Sequence, residues 1–156
     1  MRAAILFGVG DLRVADVPEP EGEVLVRIEA ATTCGTDVKM VRHGHPIVAG
    51  YPSPFGHETA GVRVDTGERV FVSDSVACGS CAPCGIGRSQ ICRAPRWLLG
   101  GFAEAIAAPE TALHPIPEGL PAAAAAMAEP LASAVHAVAR GSDAEDVGVL
   151  GGGRWG

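Results

Sequence analysis

The sequence predicts a mainly β fold with short helices towards its end, and three observations carry that reading. Short runs alternating apolar and polar residues fill most of the first two-thirds of the chain. Four of the five cysteines fall between positions 78 and 92, which marks a loop-rich lobe and not a strand or long helix. Beyond Pro121 an alanine-rich passage takes over, the composition of helix.

In chain order, "RAAILF", "DLRVADV" and "EVLVRIEAA" read as antiparallel strands, each bounded by glycine, proline or acidic turn residues. "VPEPEGEV" holds two prolines and a glycine, so it is a loop. "ETAGVRV" and "ERVFVS" follow as two more strands, with "DTG" between them as a hairpin turn. After the cysteines, "GGFAEAIAA" reads as a strand and "ETALHPIPEGLP" as a proline-punctuated passage. "AAAAAMAEPLASAVHAVARG" is helical, is expected to split in two at Pro130, and closes on Gly141. "EDVGVLGGGRWG" then begins as an apolar strand and runs into glycines.

Composition narrows the function. With 156 residues and 47% hydrophobic content the chain can bury one real core. The start lacks the pattern of a signal peptide, and no apolar run reaches the ~18 residues that span a bilayer, so a cytoplasmic protein with no membrane partner is expected. The net charge of −6, with Lys39 as the only lysine, argues against nucleic acid, which is held by clusters of Lys and Arg. In a reducing compartment, clustered thiols serve metals or redox chemistry more often than disulfides.

Cys78, Cys81, Cys84 and Cys92 have the spacing C-x2-C-x2-C-x7-C. Short loops of this kind fold four thiolates around one tetrahedral ion at Zn–S distances near ~2.3 Å. Such a shell is closed to substrate and therefore structural. An iron–sulfur cluster or a pair of disulfides would use the same residues. Cys34, in "TTCGTDVKM", stands apart, and a lone cysteine is ordinarily a small buried hydrophobe. "FGHETAG" supplies His57 and Glu58, and "AEPLA" supplies Glu129, so a second site of mixed N, S and O ligands is open to these residues. His43, His45, His114 and His136 read as ordinary surface or capping histidines.

The ordered set "CGTD", "GHE", the C-x2-C-x2-C-x7-C lobe, "EPLA" and "GVLGGGRWG" resembles the zinc-dependent medium-chain alcohol and polyol dehydrogenase family, over the whole chain. The resemblance implies a GroES-like β-barrel catalytic domain over 1–141, including a structural zinc lobe at 78–93, and the first strand and turn of a Rossmann domain over 142–156. It also implies a catalytic zinc on Cys34 and His57. The second cysteine that classical members use as third ligand has no counterpart, and "AEPLA" resembles the sorbitol and threonine dehydrogenase branch, which makes Glu129 the candidate and Glu58 an alternate ligand.

Further roles follow from the same resemblance. Thr36 would hydrogen-bond the alcohol and start a proton relay, and Asp37 would fix the zinc-bound histidine. Lys39 stands where a relay histidine is often found. Gly151, Gly153 and Gly156 match the dinucleotide fingerprint, so NAD or NADP is the expected cofactor, with hydride leaving a secondary alcohol of a small alcohol or polyol. A homo-oligomer is expected. The chain is expected to be a fragment, domain or truncated product, inactive alone. A non-catalytic zinc-binding module of the same fold is the alternative reading.

Overall fold

The computed structural model describes residues 1–141, so Gly151, Gly153, Gly156 and the expected Rossmann start lie outside the described residues. The elements follow in order: β1 (Arg2–Gly8), β2 (Asp11–Asp16), β3 (Val24–Thr32), α1 (Gly35–His43), β4 (Ser53–Pro54), β5 (Glu58–Arg63) and β6 (Arg69–Val72). Then come β7 (Ser75–Val76), α2 (Ala82–Gly85), β8 (Arg96–Trp97), β9 (Ala105–Ala108), β10 (Leu113–Pro115), α3 (Ala122–Ala125) and α4 (Ala128–Arg140).

Every strand pair is antiparallel. The main sheet runs β10-β6-β5-β3-β9, a second runs β2-β1-β4, and β7-β8 form a small third. The bridge Ala3↔Ala103 and the bond from Ala4 N–H to the Phe102 carbonyl (2.8 Å) tie β1 to the segment entering β9.

Alternation works as the sequence implies. Val24 and Val26 of β3 turn inward with Val70 and Val72 of β6 and Ile106 of β9 to form the largest core cluster. Leu6, Met40 and Phe55 form a second, which seats α1 against β1. Each fully buried apolar side chain, such as Leu6 or Val26, contributes roughly 1.5–3 kcal/mol. Gly61 is required where β3 passes β5, since a Cβ there would lie 2.1 Å from the Arg27 carbonyl oxygen. The third cluster, Ala60 with Ala125 and Ala126, uses small side chains to bring α3 close to the sheet.

Three expectations need correction. The strand read over "GGFAEAIAA" is confined to Ala105–Ala108, because the amides of Gly100, Gly101 and Phe102 bond the carbonyls of Gly56 and Phe55 instead of a ladder. The proline-punctuated passage contains a 3-10 turn and β10, whose Pro115 is tolerated on the sheet's edge strand. The helical passage does split, but at Ala126–Met127; Pro130 sits inside the first turn of α4, where its missing N–H costs nothing. Gly141 closes α4 as expected. Among the described residues no helix is long and apolar enough to cross a membrane.

Candidate metal centres

Cys34 opens the first site. It caps α1: its sulfur accepts the Thr36 N–H at 3.3 Å, and its own N–H donates to Asp37 Oδ2 at 2.9 Å. Asp37 is thus fixed at the third position of the helix with its other oxygen facing His57. His57 follows Gly56, whose φ of 87° and whose packing against Phe102 (a Cβ would sit 2.8 Å from the ring) require glycine. This bend delivers His57 between two groups of ligating atoms.

On one side His57 Nε2 lies 3.4 Å from Cys34 Sγ, and on the other Nδ1 lies 3.2 Å from Asp37 Oδ1. Ligating atoms of Cys34, Asp37 and His57 lie within 4.8 Å of one another, and so do those of His57, Glu58 and Glu129, with His57 common to both groups. His57, Glu58 and Asp37 are nearly sealed from solvent, at 7%, 2% and 2% exposure. Yet Asp37 Oδ1, His57 Nδ1 and Glu58 Oε1 have no well-aligned hydrogen-bond partner. Buried polar atoms left in this state cost free energy, and a cation among them offsets that cost. The donor set therefore fits an ion of intermediate softness such as zinc.

The charges agree with this density of acids. Burial pushes the Cys34 thiol up, more than the helix amides pull it down. Burial, then the charges of Asp74 and Glu58, push the Glu129 carboxyl up. Burial opposes protonation of His57, but Asp37, Glu58 and Glu129 together outweigh it and the imidazole is raised. Beside Cys34 opens a cavity of about 440 Å³, lined by Thr33, Gly35, Val38, Lys39, Arg42 and His43. Thr36, half-buried on the first turn of α1, is not among the residues that line it.

The second site is the lobe. Cys81 Sγ stands 3.4 Å from Cys84 Sγ and 3.9 Å from Cys92 Sγ, and all four sulfurs lie within 4.8 Å of one another. Sulfurs of a zinc tetrahedron lie roughly 3.8 Å apart, whereas a disulfide needs about 2.05 Å. All five cysteines are free thiols. The backbone amides of Ser80 and Cys81 pull Cys78 down to about 6, while its neighbour Cys81 pushes Cys84 up to about 12. The N–H groups of Cys78 and Arg93 also point at sulfur, at 3.2 and 3.5 Å, as suits thiolates.

Sequence reasoning missed Thr32, whose hydroxyl donates to Glu58, and Asp74, whose charge acts on Glu129. No spacing signal marks them: the β3–β5 ladder sets Thr32 opposite Glu58, and Asp74 lies in the bend between β6 and β7.

Comparison with known proteins agrees with this architecture. The model of the alcohol dehydrogenase GroES-like domain matches residues 20–118, and the chain belongs to that family. An uncharacterized zinc-type alcohol dehydrogenase-like protein of Haemophilus influenzae is 34% identical, over 90% of this chain and 46% of its own length. The sorbitol dehydrogenase of Halalkalibacterium halodurans is 33% identical, over 86% of this chain and 44% of its own. The short chain alcohol dehydrogenase of Escherichia coli CFT073, solved with NADH, superposes with a TM-score of 0.82 at 31% identity, over 94% of this chain and 47% of that one. The chain spans about half the length of the curated relatives it matches.

Proposed function

We propose that this chain is the metal-binding, catalytic part of a zinc-dependent dehydrogenase that oxidises a secondary alcohol, such as a polyol, with NAD or NADP as hydride acceptor. One observation carries the reading: His57 presents Nε2 to Cys34 while standing among Glu58 and Glu129, with Asp37 behind Nδ1. Likeness to a sorbitol dehydrogenase and to an NADH-bound alcohol dehydrogenase supports the substrate and cofactor classes.

In this reading Cys34, His57 and Glu129 hold the ion, and Glu58 is an alternate ligand. When bound, zinc supplies a Lewis acid that eases loss of an alcohol's proton, and the nicotinamide supplies the place for the hydride. The protein's own work is orientation. Asp37 Oδ1, 3.2 Å from His57 Nδ1, backs the imidazole by charge and keeps the Nε2 lone pair facing the cluster. Thr36, held on the first turn of α1, offers its hydroxyl to the substrate's and passes the proton outward, with exposed Lys39 next along the helix face. The wall of Val38 and Thr33 beside Cys34 gives the substrate carbon skeleton an apolar seat. Cys78, Cys81, Cys84 and Cys92 hold a second, structural zinc, and Gly151, Gly153 and Gly156 are assigned to the dinucleotide. Counting zinc in the purified chain tests the reading. Two ions per chain are expected; one, retained in the lobe, favours a non-catalytic module.

A further inference from the structure

The ladder between β3 and β5 sets Thr32 directly opposite Glu58, in a register shifted by the bulge between Ile28 and Ala30. The Thr32 hydroxyl donates to Glu58 Oε2 and also lies 3.3 Å from the carbonyl oxygen of Ala126. A hydroxyl carries one hydrogen, so it serves one acceptor at a time. The three segments that meet here bear every proposed ligand of the first site. Cys34 lies two residues beyond Thr32, His57 immediately precedes β5 and Glu58 opens it, and Glu129 lies three residues beyond Ala126. Glu58 is 2% exposed, and its second oxygen has no hydrogen-bond partner. Thr32 therefore provides the side-chain hydrogen bond that restrains this carboxylate among the described residues.

We propose that Thr32 is a positioning residue that sets whether Glu58 stays beside the ion or joins its ligands. This rests on the reading of Cys34, His57 and Glu129 as ligands. With the hydroxyl hydrogen on Oε2, Glu58 is held to the β3–β5 ladder, and a place at the ion is left to an exchangeable ligand. With the hydrogen turned to the Ala126 carbonyl, the carboxylate is released. No bond is made or broken beyond this exchange of one hydrogen bond for another.

Cobalt(II) absorption of the full chain tests this, with imidazole as the exogenous ligand. The difference spectrum between the parent and Cys34→Ser isolates the first site from the lobe. Thr32→Val, which removes the hydroxyl and keeps the shape, is expected to raise the half-saturating imidazole concentration by about tenfold, the scale seen when a partner orienting a metal-binding group is lost. Thr32→Ser is expected to restore the parent's response, and in a Glu58→Gln background the Thr32→Val effect is expected to vanish. If Thr32→Val fails to fold, Thr32→Ala is judged by the same criteria. A hydroxyl-free variant that responds as the parent does, or an effect that persists without the Glu58 carboxylate, overturns the proposal. A cobalt spectrum unchanged by Cys34→Ser overturns the ligand reading beneath it instead, and the proposal with it.

Discussion

His57 Nδ1 stands 3.2 Å from Asp37 Oδ1, with both side chains almost wholly withdrawn from water. The same aspartate accepts the Cys34 N–H through its other oxygen, so one carboxylate orients two of the proposed ligands at once. Asp37→Asn keeps an acceptor for the helix cap but removes the charge behind the imidazole. It is expected to weaken zinc at the first site by roughly 10–100-fold while leaving the lobe's ion in place, measured by competition with a chromophoric chelator.

Glu129→Ala removes the third proposed ligand. The side chain is half-buried and its carboxyl is pushed up by burial and by Asp74 and Glu58, a setting an ion would relieve. Loss of one zinc per chain, or an affinity reduced by more than about tenfold, is expected on titration. An unchanged affinity would leave Glu129 as a first-turn acid of α4, gaining only ~0.3–1 kcal/mol from the helix dipole.

Cys92→Ser is expected to release the lobe's metal and loosen residues 78–93, because no residue from 73 to 100 is buried and nothing apolar replaces the thiolate shell. Elemental analysis should find the other zinc retained. Two full equivalents in the variant would overturn the assignment.

Asp65 gives a pH prediction away from both sites. Its bond with Arg63, at 2.9 Å, lowers the carboxyl from 3.8 to about 2 in the folded chain. A depressed pKa contributes stability that is present above the unfolded value and is lost as pH falls through the folded one. The stability gap between the parent and Asp65→Asn in urea melts is therefore expected to hold at pH 5 and to shrink between pH 3.8 and about 2. A gap that does not narrow would contradict it.

The strands most legible in the sequence are those whose side chains alternate against a core, as Val24 and Val26 do in β3. α1 escaped notice because "TTCGTDVKM" mixes β-branched residues and glycine, poor helix formers, and its start depends on a cysteine accepting from a backbone amide. β7 and β8 are two residues each, too short for any periodicity to register. Cys34, His57 and Glu129, the proposed ligands, are named from motif order. Thr32 is not: its partner is 26 positions away and is selected by a bulge that no local pattern announces.

The lobe's own two-stranded sheet has a thermodynamic corollary. Among the described residues β7 and β8 pair only with each other, and although Val76 and Leu98 at their ends rest against the main core, the segment between the two strands lends it no buried side chain. With zinc on its four sulfurs, the lobe opens and closes as a separate cooperative unit whose stability follows mass action. Each tenfold fall in free zinc concentration then removes about 1.4 kcal/mol from that unit alone, until metal binding no longer governs it. Amide exchange at residues 78–93 would thus track the zinc supply of the surroundings, while exchange from Val26 and Val70 would not.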